Sequence, residues 1–196
     1  YAPVSQGSIM DEMKAKGLAA LKEAPYSEWY MNSMSFKDCK TYQYHSEKYG
    51  ADFEYKDFRP IFDKEAEKLN AAEWADLFKA SGAKYVVLIT KHHDGYCLWP
   101  TDQINPNREH WHTDRDYVGE VTDAVRAAGL KMGLYYSGVF DWTFDYEPLC
   151  SPYSFAVCMR HDQAYIDYCN NQVYELIDRY KPSLLWNDIG YPDGTD

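Results

Sequence analysis

Apolar positions along this chain follow two alternating rhythms. Trp74, Leu77 and Phe78 recur at i, i+3 and i+4 within residues 71–80, the spacing of a helix stripe, and are the expected buried face. Gly82 can take the left-handed position that stops such a helix. The β-rich run from Tyr85 to Thr90 then reads as a strand buried on both faces. The same joint recurs twice. Residues 115–128 predict a helix with Tyr117, Val121 and Val125 on one face and Val118 alongside, capped by Asp114 or Asp116 and followed by a strand over 132–137. A long helix over 162–180 ends at Lys181-Pro182, because proline cannot continue a helix, and a strand over 183–188 follows.

The strand ends therefore fall near Thr90, Ser137 and Asp188, about 50 residues apart with a helix in each interval, which implies parallel βαβ units. A doubly wound open sheet would show a glycine-rich phosphate turn after an early strand, and none is present. Polar and aromatic residues gather instead at the C-terminal ends of several strands, as in a (β/α)8 barrel. The expected fold is α/β, a TIM-like barrel. A complete barrel takes ~250 residues, so about half of one is expected here, with residues 1–196 as a single partial domain. Residues 1–61 are irregular and tyrosine-rich, with a candidate helix over 37–49.

Composition narrows the function. The chain has 196 residues, with 20 Lys+Arg against 31 Asp+Glu and a net charge of −11, which excludes the basic face of a nucleic-acid module. Its longest apolar run, Tyr85 to Ile89, is far below the ~20 residues of a membrane span. Aromatic residues reach 17%, which suits a deep core or a cleft lined with flat rings. The five cysteines form no CxxC pair. Free buried thiols are expected, with Cys150–Cys158 as the alternative bridge.

The strand ends hold the candidate chemistry. Asp188 closes Leu184-Leu185-Trp186-Asn187-Asp188, and alternation puts Leu184, Trp186 and Asp188 on one face. A carboxylate there is costly unless it is hydrogen-bonded or used. His92 and His93 cannot both face the axis of a regular strand, so one belongs to the turn at Gly95. They can donate hydrogen bonds to a polar ligand, anchor a loop, or bind metal with Asp94 and Asp188. No HxH or HExxH spacing supports metal. Tyr135 and Ser137 share a face opposite Tyr136. Trp99 and Trp142 follow strand ends, where core packing and a place at the mouth are open to both. Glu28-Trp29-Tyr30, taken alone, reads as an exposed carboxylate beside packing rings.

Taken in order, these segments resemble the family 29 glycoside hydrolases, the α-L-fucosidases. Ala83 to Leu88 leading into Lys91-His92-His93-Asp94-Gly95-Tyr96, Glu28-Trp29-Tyr30, Gly133-Leu134-Tyr135-Tyr136-Ser137 with Asp141-Trp142, and Trp186-Asn187-Asp188 carry the resemblance. It implies a retaining exo-hydrolase that acts on fucosylated oligosaccharides or glycoconjugates without metal or cofactor. Asp188 resembles the nucleophile, His92 and His93 the pair that binds fucose hydroxyls, and Glu28, Trp29, Tyr135 and Trp186 further members of the sugar pocket. A secreted, periplasmic or lysosomal parent fits the family, as does a cytoplasmic one. Tyr1-Ala2-Pro3-Val4-Ser5 resembles the stretch after the family's first strand, and the acid/base carboxylate is expected beyond Asp196, so the chain reads as an inactive piece of an active enzyme. Two other readings use the same residues: a metal-dependent barrel hydrolase built on His92, His93, Asp94 and Asp188, and a non-catalytic fucose-binding protein.

Overall fold

The computed structural model describes residues 9–24, 26–159 and 161–193; Tyr1 to Ser5 and Asp196 lie outside them. In chain order the helices are α1 (Ile9–Lys16), α2 (Tyr30–Ser33), α3 (Lys40–Tyr49), α4 (Arg59–Ala66), α5 (Ala71–Ala80), α6 (Tyr117–Ala127), α7 (Pro152–Cys158) and α8 (Gln163–Tyr180). The strands are β1 (Tyr85–Lys91), β2 (Lys131–Ser137) and β3 (Leu184–Asp188). The chain divides into two compact units, Tyr1–Glu65 with Asp145–Arg160, and Ala66–Phe144 with His161–Asp196.

The first unit is helical. Asn32, fully buried, holds a returning segment: its Nδ2 donates to the carbonyls of Leu21 and Leu149 at 3.0 and 3.1 Å, and its Oδ1 accepts from Leu149 N at 2.6 Å. His45 donates from Nε2 to the Phe53 carbonyl at 2.7 Å and accepts at Nδ1 from Tyr30 Oη at 3.0 Å. Desolvation holds the Tyr30 phenol up at about 12. α3 lies within the span expected to be helical, starting after Cys39.

The second unit carries a three-stranded parallel sheet in the order β1-β2-β3, joined by α6 and α8 as the helix–strand alternation predicts. Asp116, one of the two expected caps, accepts from Gly119 N at the start of α6. Asp162 does the same for α8, and Lys181, in left-handed geometry at φ 45, ends it before Pro182. Tyr117, Val118, Val121 and Val125 are buried as the periodicity requires. Val118, Val121 and Val125 pack with Met132, Leu134 and Tyr136 of β2 and with Tyr165, Tyr168 and Leu176 of α8 in one core. All five cysteines are free, so Cys150 and Cys158 are not bridged.

Two burial expectations are corrected. Trp74 and Leu77 of α5 are 46% and 67% exposed. The inward stripe is Ala71, Ala75 and Phe78, also a helical set, whose small residues let α5 lie close against α6. β1 is not buried on both faces: Val86 and Leu88 pack into the core, whereas Tyr85 and Ile89 are 60% and 42% exposed. On the opposite face of the sheet, Leu184 and Trp186 of β3 are 42% and 55% exposed within these 196 residues.

A bulge shapes the end of β1. Ile89 pairs with Tyr135, but Lys91, not Thr90, pairs with Tyr136. Thr90 is the extra residue, and its hydroxyl donates to the Tyr135 carbonyl at 2.7 Å. The slip sends Lys91 to the helix-covered face. Gly95, at φ 74, then turns the chain beneath Asp141: a Cβ there would stand 2.5 Å from Asp141 Oδ1 and 2.6 Å from Thr143 Cγ2. Gly95→Ala is therefore expected to cost about 2–4 kcal/mol, from left-handed strain plus overpacking. Gly82→Ala, at φ 83 with nothing within 4 Å of the new methyl, should cost about 1 kcal/mol. Guanidinium unfolding of both variants measures the gap, and equal losses would contradict the packing at Gly95.

Candidate active site

The site forms where β1, β2 and β3 end. Pairing of Ser137 with Asp188 and of Tyr135 with Trp186 places these four on the same face of neighbouring strands. Tyr135 Oη donates to Asp188 Oδ2 at 2.8 Å. His93, fully buried, presents Nε2 to the same oxygen at 3.7 Å. Its Nδ1 lies 2.7 Å from Ser137 Oγ, and the Ser137 hydroxyl donates to the Phe140 carbonyl at 2.7 Å. His92 stacks on the Tyr135 ring with centroids 5.2 Å apart and planes 6° from parallel, and its ring centre is 4.1 Å from that of His93. Both histidines lie past the end of β1, His93 buried at the turn before Gly95 and His92 half-buried, and both bring a ring nitrogen close to Asp188.

Rings box His93 in. Phe140 meets it edge-on at 5.2 Å and Trp142 at 5.4 Å, while Trp142 N donates to the His93 carbonyl at 2.7 Å. Burial, and then the neighbouring His92 and Lys91, push the His93 pKa well below the ordinary imidazole range, so the ring is neutral at pH 7. Trp99, by contrast, is a core residue.

Beneath the site lies an ion pair with no exposure on either side. Lys91 Nζ meets Asp141 Oδ2 at 2.8 Å. The ammonium also sits over the rings of Tyr136, Tyr165 and Tyr168, at 4.4, 5.7 and 5.9 Å from their centres. Asp141 Oδ1 accepts from Thr143 N and Thr143 Oγ1 at 3.0 and 2.6 Å, and Thr143 Oγ1 accepts in turn from Asn105 Nδ2 at 2.7 Å. Desolvation raises the Tyr136 phenol well above its ordinary value, so it stays a neutral donor to Gln172 Oε1 at 2.8 Å.

After Asp188 the backbone is strained. Ile189, a β-branched residue, takes φ 64. Gly190 N donates to the Asp188 carbonyl at 2.7 Å, and Val139 N to the Gly190 carbonyl at 2.8 Å, which ties the ends of β2 and β3 together.

Of the seven residues singled out from sequence, five converge here: His92, His93, Tyr135, Trp186 and Asp188. Trp186 is 55% exposed on that face. Glu28 and Trp29 belong to the first unit, on a 3-10 turn over Ser27–Trp29, where Trp29 packs on the Ala20–Ala24 cluster. Sequence reasoning missed Lys91, Asp141 and Phe140 as parts of the site. The one available signal was a lysine ending an apolar strand directly before two histidines. His92, His93 and Asp188 bring ligand atoms within 4.8 Å of one another and could hold a metal ion. Asp94 is not in that group; its Oδ1 accepts from Tyr96 N at 3.1 Å.

The Alpha-L-fucosidase family profile matches residues 12–195. The chain belongs to the alpha-L-fucosidase family. It is 37% identical to the alpha-L-fucosidase of Dictyostelium discoideum over 174 residues, which cover 86% of this chain and 36% of that protein. It is 38% identical to the tissue alpha-L-fucosidase of Bos taurus over 169 residues, 83% of this chain and 34% of the relative. The chain thus spans about a third of the length of these curated alpha-L-fucosidases. Thermotoga maritima alpha-fucosidase, solved in complex with fucose, superimposes with a TM-score of 0.81 at 47% identity, over 89% of this chain and 41% of that one. The sheet and helices described above are therefore part of the (β/α)8 barrel of alpha-L-fucosidases.

The ion pair predicts its own sensitivity. Asp141→Asn leaves a buried ammonium uncompensated, and Lys91→Met leaves a buried carboxylate. Each should cost about 3–5 kcal/mol, whereas Lys91→Met with Asp141→Leu should cost clearly less than the sum. Denaturant unfolding of the three variants measures this. Single losses under about 1 kcal/mol would show the pair to be dispensable.

Proposed function

We propose that the whole protein carrying this chain is a retaining exo-α-L-fucosidase acting on terminal α-L-fucosyl linkages of glycans, with residues 1–196 as part of its catalytic domain. The observation that carries this reading is the Asp188 carboxylate, set by the phenol of Tyr135 at 2.8 Å at the open end of a parallel sheet. Its support from relatives is the similarity to an alpha-fucosidase solved with fucose.

In this reading Asp188 attacks the anomeric carbon. The C1–O bond breaks, the leaving oxygen takes a proton from a second carboxylic acid, and a fucosyl ester forms on Asp188. Water, deprotonated by that same second carboxylate, then attacks C1, releases fucose with its α configuration and restores Asp188. Tyr135 donates to Asp188 Oδ2 and so orients the carboxylate. His92 and His93 hold sugar hydroxyls. The exposed indole of Trp186 covers an apolar face of the sugar, and Glu28 and Trp29 are assigned to sugar binding on the family resemblance alone.

The cluster on β1–β3 contains one carboxylate where the mechanism takes two, so the 196 residues by themselves should bind poorly and turn nothing over. A metal-dependent hydrolase draws on the same convergence of His92, His93 and Asp188. Activity that persists after exhaustive chelation, in metal-free buffer, separates the fucosidase from it.

The whole protein is expected to hydrolyse an aryl α-L-fucoside, and Asp188→Gly to lower kcat by at least about 10³-fold. Azide should restore turnover in that variant, yielding a β-fucosyl azide, because it occupies the space of the missing nucleophile. Near-normal kcat in Asp188→Gly would end the assignment.

A further inference from the structure

We infer that Ser137 is a positioning residue: by relaying the Phe140 carbonyl to the His93 ring, it locks His93 as the tautomer whose Nε2 lone pair faces the ligand space beside Asp188. The inference rests on the fucosidase reading for its kinetic consequence only. The tautomer follows from hydrogen-bond arithmetic within the second unit.

A serine hydroxyl has one proton. A carbonyl oxygen can only accept, so the 2.7 Å contact between Ser137 Oγ and the Phe140 carbonyl consumes that proton. The 2.7 Å contact between Ser137 Oγ and His93 Nδ1 must then run the other way, with Nδ1–H donating. Neutral imidazole carries one N–H, so Nε2 is left as an acceptor. Burial of the ring, which keeps it neutral, agrees with this. Both Phe140 and Ser137 are fully buried, so water does not compete for either contact.

The consequence is directional. Nε2 of His93 and Oδ2 of Asp188 stand 3.7 Å apart, and both accept. Tyr135 Oη supplies its own proton to Asp188. A ligand atom seated by His93 must therefore bring a proton: a hydroxyl satisfies Nε2, whereas an ether or carbonyl oxygen would face a lone pair. Ser137 thereby also disfavours the opposite tautomer, which would turn an N–H rather than a lone pair toward Asp188. The register pairing of Ser137 with Asp188 places this control on the strand next to the nucleophile.

The test is nitrogen-15 NMR of the whole protein labelled at histidine, with His93 assigned by difference against His93→Gln. Native His93 should show Nε2 at the position of a ring nitrogen carrying a lone pair and Nδ1 at that of an N–H nitrogen. Ser137→Ala should move the pattern toward Nε2–H and lower kcat/KM on an aryl fucoside about 10- to 100-fold. Ser137→Thr, which keeps the hydroxyl, should restore the native pattern. A native ring with its lone pair on Nδ1, or one that is an imidazolium at pH 7, overturns the inference, as does an unchanged pattern in folded Ser137→Ala. If Ser137→Ala does not fold, the native spectrum alone decides. A native protein that turns over no fucoside defeats the fucosidase reading while leaving the tautomer readable.

Discussion

The structure turns on one constraint: a lysine placed inside the core by a strand bulge must be neutralised there. Lys91 and Asp141 have no exposure, and bringing two such charges out of water costs several kcal/mol per ion. The fold offsets that cost with geometry. A short ion pair, three tyrosine rings around the ammonium, and Thr143 and Asn105 behind the carboxylate leave both groups satisfied. Such a pair is weak evidence for net stability, but it is demanding about position. It fixes the loop after β2 against the end of β1, and the loop then supplies Phe140 and Trp142 to His93.

The two faces of the sheet divide the work. One face packs Leu88, Met132, Leu134 and Tyr136 against α6 and α8 and provides the apolar burial. The other carries Tyr135, Ser137, Trp186 and Asp188, a polar and aromatic set in which Tyr135 donates to Asp188 and Ser137 links the His93 ring to the Phe140 carbonyl. Alternation along β2 alone separates Tyr136, a core group, from its neighbours Tyr135 and Ser137. The strained Ile189 lies next to Asp188, where the ends of two strands are tied together.

Much of this was legible in the sequence because it is local. Periodicity located α5, α6 and α8 and the three strands between them, and Asp116 and Gly82 marked helix ends by their own chemistry. Alternation put Tyr135 and Ser137 on one face of β2 and Trp186 and Asp188 on one face of β3; that these are the same face is set by the β2–β3 register. What stayed hidden depends on partners distant in sequence. Ala71 and Ala75 look unremarkable beside Trp74 and Leu77, yet close approach to α6 selects the small pair. The inward turn of Lys91 is a register event set by β2, which no pattern within β1 reveals. The tautomer of His93 depends on a carbonyl at Phe140, 47 residues on, that carries no side-chain signature. Glu28 and Trp29 entered through the family resemblance alone, and their own surroundings on the Ser27–Trp29 turn explain only packing.

The central claim is that a covalent bond forms between Asp188 and the anomeric carbon of fucose. Incubating the whole protein with 2-fluoro-fucosyl fluoride, which slows breakdown of the ester, followed by proteolysis and peptide mass mapping, tests it most directly. The account predicts a single fluorofucosyl label on the peptide containing Trp186-Asn187-Asp188, assigned to Asp188 by fragmentation. A stable label on any other side chain would contradict it.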